Sequence, residues 1–65
     1  MAVKNNLREI RTAHGISQVE LAAAIGSCSR SISRIERGER NPSLEMALII
    51  AEYFHVDVES IFTLE

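Results

Sequence analysis

The sequence predicts an all-α fold of five short helices around one small core. Three features lead there. Apolar residues recur at i, i+3 and i+4 in several short segments instead of alternating. Glycines or an Asn-Pro pair close those segments. No stretch longer than a few residues is rich in β-formers, and there is no internal repeat or low-complexity tract. A chain of 65 residues permits one domain, expected over 1–65. At this size only about 60% of the unfolded chain's surface is buried, so the stability margin is small.

The elements follow in order. Leu7, Ile10, Arg11 and His14 recur at helical spacing after the polar pair Asn5-Asn6, and Gly15 stops this first helix. Ser17-Gln18-Val19-Glu20 has the capping-box pattern, so helix 2 starts at Gln18, with Leu21, Ala22 and Ile25 as core positions and Gly26 as its end. Only Ser27 and Cys28 separate that glycine from the next helical stretch, Ser29 to Arg37, which Gly38 closes. Two short helices joined so tightly must cross steeply, with the small Ala22 at the contact and Ile32 and Ile35 filling the angle. Residues 18–37 therefore form a helix-turn-helix. Glu39 to Pro42 form a loop, Ser43 caps a fourth helix from Leu44 to about Phe54, and Asp57 caps a last short helix containing Val58, Ile61 and Phe62.

Helix 4 carries two apolar sides. Leu44, Ala47, Leu48, Ala51 and Phe54 are expected to face the core, while Met46, Ile49 and Tyr53 line another side. A small monomer can scarcely bury both, so the second stripe, with Val58, Phe62 and Leu64, is expected to form a homodimer interface. The alternative is that the termini fold over it, with Ala2-Val3-Lys4 and Thr63-Leu64-Glu65 as short strands within or between subunits.

Charge is unevenly placed. The chain is acidic overall, yet four of its seven basic residues, Arg30, Arg34, Arg37 and Arg40, fall within eleven positions, whereas residues 44–65 contain no Lys or Arg. Arg30, Arg34 and Arg37 stand at i, i+4 and i+7, on the helix side opposite Ile32 and Ile35. Guanidinium forks match phosphate oxygens and the O6/N7 edge of guanine, which makes a nucleic acid the first partner to consider. A merely solvated charged face is the plainer alternative. A net charge of −2 does not oppose the first reading, because association responds to the field of the face presented.

Other chemistries find little support. His14 and His55 form no ligand-spaced pair with Cys28 or a carboxylate, so neither a metal nor another cofactor is expected. There is no Gly-rich phosphate loop and no nucleophile elbow, so the chain does not read as an enzyme. The lone cysteine without a signal peptide suits a reducing cytoplasm, and no apolar run approaches the ~18 to 20 residues of a membrane span.

With the elements placed, the ordered set Ile16-Ser17-Gln18-Val19-Glu20-Leu21-Ala22, Gly26, Ile32-Ser33-Arg34-Ile35-Glu36-Arg37-Gly38 and Asn41-Pro42-Ser43-Leu44 resembles the Cro/repressor-type (XRE-like) helix-turn-helix regulators. The likeness extends from Asn6 to Phe62. It implies a lambda-repressor-like five-helix domain whose third helix enters the major groove of double-stranded DNA, usually as a homodimer on a two-fold symmetric operator. By this resemblance Ser29, Arg30, Ser33 and Arg34 fall at base-contacting positions, and Gln18, Ser27, Arg37, Arg40, Asn41 and Ser43 at phosphate-contacting ones. It also implies that Glu36, at first sight a defect in a basic surface, pairs with Arg11 to tie helix 1 to the back of helix 3.

This sequence departs from the family pattern in two places. Cys28 stands where a serine or threonine usually caps helix 3; its sulfur is a weaker acceptor, and its place beside Arg30 at a helix start raises the alternative of a redox-sensitive thiol. His55 replaces the usual glycine at the end of helix 4, where histidine tolerates the left-handed conformation better than most residues. The expected function is transcriptional regulation, most simply repression by occupying a promoter, without a small-molecule ligand or membrane partner. RNA binding is disfavoured because Tyr53, Phe54 and Phe62 all lie in the acidic third, away from the basic face. An antitoxin-like or other protein-interaction module using the helix 4 stripe is the alternative.

Overall fold

Local capping chemistry sets the frame of the computed structural model, which describes residues 3–65. Its elements in chain order are β1 (Val3–Asn5), α1 (Leu7–Ala13), α2 (Gln18–Ile25), α3 (Ser29–Glu36), α4 (Leu44–Phe54), a single 3₁₀ turn (Val58–Ser60) and β2 (Phe62–Leu64). The Ser17 hydroxyl accepts from the Glu20 amide at 3.0 Å, and the Glu20 carboxylate accepts from the Ser17 amide at 2.8 Å, so both donors at the start of α2 are satisfied. Gly26 ends α2 in the left-handed conformation, φ 72°, which turns the chain at once into α3. Ser43 caps α4 by accepting from the Met46 amide, and His55 closes it at φ 58°. Cys28 holds the N-cap position of α3 with its backbone alone; its sulfur makes no capping hydrogen bond.

The core joins all four helices. Leu7, Leu21, Ile32, Ile50 and Ile61 are fully buried, and Ala22, Ala47 and Ala51 let the helices approach closely around Phe54. Each fully buried Leu or Ile stabilises the fold by about 1.5–3 kcal/mol relative to leaving it exposed.

The C-terminal end differs from the five-helix expectation, and the domain is not purely all-α. Residues after Asp57 form one 3₁₀ turn, not an α-helix, and the chain then extends. β1 and β2 pair antiparallel with Val3 opposite Leu64, Lys4 opposite Thr63 and Asn5 opposite Phe62. Terminal strands thus form within one subunit, but β1 extends to Asn5, β2 runs from Phe62 to Leu64 without Glu65, and Ile49 and Tyr53 of the second stripe stay exposed; Ala2 lies outside the described residues. Ile61 and Phe62 are adjacent and both buried, the first closing the 3₁₀ turn and the second starting β2.

The phase of α4 also differs. Its buried residues are Ala47, Ile50, Ala51 and Phe54, so the expected core stripe keeps Ala47, Ala51 and Phe54, gains Ile50 on the Met46 side and loses its other edge. Leu44 and Leu48, expected inside, are 76% and 50% exposed. Ile49 and Tyr53 lie exposed on the opposite flank, and Glu45 and Glu52 project between the two apolar edges. Of the residues expected at a dimer interface, Phe62 is corrected to a core residue, held inside by β-pairing, and Met46 and Val58 are half-buried against the core. Ile49, Tyr53 and Leu64 are exposed.

Candidate nucleic-acid interface

α3 is fastened from behind at three levels. Ile32 and Ile35 enter the core. Asn5 donates from Nδ2 to the Ile35 carbonyl at 2.8 Å while its Oδ1 accepts from the Leu7 amide, binding β1 to both α1 and α3. The Glu36 carboxylate then receives three donors: Arg11 Nε at 2.7 Å, Arg11 Nη2 at 3.2 Å and Gln18 Nε2 at 3.0 Å. Arg11 Nη1 adds a bond to the Ile16 carbonyl, ahead of α2. The side chains of Arg11 and Glu36 are only 10% and 4% exposed, so this is a fork-to-fork ion pair in a largely dry setting.

Titration reflects the same geometry. Burial pushes the Glu36 carboxyl upward, but hydrogen bonds from Arg11 and Gln18 and the charges of Arg11 and Arg8 outweigh it and leave the pKa below the ordinary 4.5. The Arg11 guanidinium is held above its ordinary value, chiefly by its hydrogen bond to Glu36.

The opposite side of α3 is free. Arg30, Arg34 and Arg37 are exposed, with Ser29 and Ser33 half-buried at the edge of the same face. Arg37 Nε stands 3.3 Å from Glu39 Oε2, but both side chains are more than half exposed, so a phosphate can compete for that guanidinium. Arg40, Asn41 and Ser43 are exposed in the following loop, and Ser27 is half-buried between α2 and α3. The Ser43 oxygen already accepts from Met46, leaving its hydroxyl proton to donate outward. Gln18 is half-buried, and one amide hydrogen is committed to Glu36.

Gln18, Ser33 and Arg37 meet with Arg8, Arg11 and Glu36 around a polar recess of about 270 Å³. Arg30, Arg34, Arg40 and the remaining expected contacts lie outside it. Two residues of this region, Arg8 and Asn5, had no assigned part in the sequence reading. Arg8 was detectable as the i−3 neighbour of Arg11 on one helix side; Asn5 acts across 30 positions of sequence and left no local signal. Cys28 is exposed at the start of α3, and the Ser31 amide and hydroxyl and the Arg30 backbone and charge hold its thiol below the ordinary 9.0.

The helix-turn-helix family model matches residues 7–61, which takes in α1 to α4 and the 3₁₀ turn. The chain belongs to the Cro/repressor-type helix-turn-helix family. Within it, an uncharacterized HTH-type transcriptional regulator of Methanocaldococcus jannaschii is 40% identical over 63 residues, 97% of this chain and 96% of the relative. Among solved structures, the restriction-modification controller protein C.AhdI of Aeromonas hydrophila is similar with a TM-score of 0.76 and 39% identity, covering 83% of this chain and 78% of that one. A Bacteroides fragilis protein at 24% identity shares the fold with a TM-score of 0.84, covering 94% and 98% of the two chains.

Removing one partner of the Arg11–Glu36 pair leaves a desolvated charge behind. Arg11→Ala is expected to cost about 3 kcal/mol in urea unfolding, and the apolar double variant Arg11→Met/Glu36→Leu to recover part of it. Because the folded pKa of Glu36 is depressed, its contribution is fully present above the unfolded pKa and fades as pH falls through the folded one. The wild-type urea midpoint should therefore drop below about pH 4.5 more steeply than that of Glu36→Gln, which starts lower.

Proposed function

We infer that this chain is a sequence-specific double-stranded DNA-binding transcriptional regulator. The observation that carries the reading is the two-sided character of α3: Glu36, Ile32 and Ile35 fix one side to the domain, and Arg30, Arg34 and Arg37 stand exposed on the other. A rigid helix with free guanidinium groups is what major-groove readout requires. In this reading Arg30 and Arg34, with Ser29 and Ser33, reach base edges. Gln18, Ser27, Arg37, Arg40, Asn41 and Ser43 meet the backbone, the last beside the positive end of the α4 dipole.

The regulatory role draws support from the name of the Methanocaldococcus relative and from the controller function named for the Aeromonas protein. Repression by occupancy is the simplest form of it for a domain of this size. A homodimer on a two-fold operator, with recognition helices about 34 Å apart, draws support from the exposed Ile49 and Tyr53 beside a shallow recess with Ala24 and Ile25. The antitoxin-like alternative would use the same helix 4 stripe, of which Met46 is half-buried against the core and Ile49 and Tyr53 stay exposed.

Gel-shift titrations across salt concentrations and base-substituted duplexes test the assignment. Arg34→Ala should relax base preference, losing about 1–3 kcal/mol of discrimination at one position. Arg37→Ala should weaken all duplexes alike and flatten the salt dependence by roughly one ion per subunit. Similar losses in both would contradict the division of roles between them, and wild-type protein that binds single strands as well as duplex would overturn the reading. For assembly, Tyr53→Glu should shift the sedimentation coefficient from dimer to monomer at micromolar concentration; an unchanged coefficient places the interface elsewhere.

A further inference from the structure

The polar recess beside α3 holds more positive charge than the recognition helix alone uses. Its one carboxylate, Glu36, is fully engaged by Arg11 and Gln18. Arg8, from the opposite wall on α1, is exposed, and the ion pairs among the described residues, Arg11–Glu36 and Arg37–Glu39, do not include it. Arg8 nonetheless lines the same recess as Glu36. From α3, Ser33 contributes a hydroxyl and Arg37 a guanidinium whose present partner is solvent-exposed.

Two guanidinium groups and a hydroxyl around a neutralised carboxylate favour a tetrahedral oxyanion. The walls are also rigid, because the ion pair in the floor joins α1 to α3. We propose that this recess seats one backbone phosphate of the bound duplex, gripped by Arg8 of α1 and Arg37 of α3. α1 thereby becomes part of the DNA-binding surface, and the phosphate sets how deeply α3 enters the groove. This rests on the DNA-binding reading above and adds to it a residue outside the helix-turn-helix.

The test is the salt dependence of duplex affinity for wild type, Arg8→Ala, Arg8→Lys, Arg37→Ala and the double alanine variant. Losing one phosphate contact per subunit flattens the slope of log affinity against log salt by about 0.9 for each subunit bound, so between 50 and 200 mM salt the wild type should lose roughly threefold more affinity per subunit than Arg8→Ala. Arg8→Lys should restore the slope. The double variant should lose less than the two single variants together, because both grip one phosphate. Melting temperatures of the Arg8 variants should stay nearly level, as Arg8 is exposed and forms no ion pair among the described residues. Wild-type binding with an unaltered slope in Arg8→Ala overturns the phosphate seat and leaves the DNA-binding reading standing. Failure of the wild type to bind any duplex overturns that reading itself, and the seat with it.

Discussion

The buried pairing of Glu36 with Arg11 and Gln18 is the constraint on which the rest of the structure depends. It is one carboxylate on the inner side of α3, and it meets donors from both preceding helices. Apolar packing through Ile32 and Ile35 sets which side of α3 faces inward but, being non-directional, leaves the finer roll about its axis loose. A two-pronged guanidinium bond does not, because its geometry is satisfied in one orientation only. The orientation it selects turns Arg30, Arg34 and Arg37 outward.

Such a pair is weak evidence for stability as such, since an apolar substitute of similar volume often serves as well. Its effect is positional. Base readout needs guanidinium forks placed accurately relative to each other and to the backbone contacts, and a recognition helix free to roll would blur both. The Asn5 bridge to the Ile35 carbonyl acts in the same sense at the same C-terminal end of the helix. β1 therefore does more than cover the core: it carries the residue that anchors the end of α3. The charge division completes the arrangement, with five acidic residues and no Lys or Arg from residue 44 onward, so the positive field is concentrated on one side of the chain.

What could be read from the sequence follows from the range of the interactions. The ends of α2 are local chemistry, and Ser17, Glu20 and Gly26 announce them. Ile32 and Ile35 against Arg30, Arg34 and Arg37 give α3 a clear phase, because apolar and charged residues alternate at helical spacing. The α4 segment offers no such contrast: Leu44, Met46, Ala47, Leu48, Ile49, Ile50 and Ala51 are all apolar, so several rotations satisfy its pattern equally. Contacts with Ile61 and Phe62 choose among them, and these form only once the C-terminus has turned back. β2 was illegible as a certainty for the same reason, since its pairing partner lies at the other end of the chain. The Arg11–Glu36 pair spans 25 positions and reached the sequence reading through family resemblance, not spacing. The engagement of Gln18 with Glu36, and the convergence of Arg8 on the same recess, needed coordinates.

The most direct measurement is the hydrogen exchange of arginine Nε–H groups, followed by NMR in the free protein and on addition of duplex. A pre-formed, fastened α3 predicts that the Arg11 Nε–H, 2.7 Å from Glu36, exchanges slowly in both states, while those of Arg30 and Arg34 exchange fast when free and slow only with duplex present. An Arg11 Nε–H that exchanges as fast as that of Arg30 in the free protein would contradict the account, because the ion pair would then not fix the roll of α3.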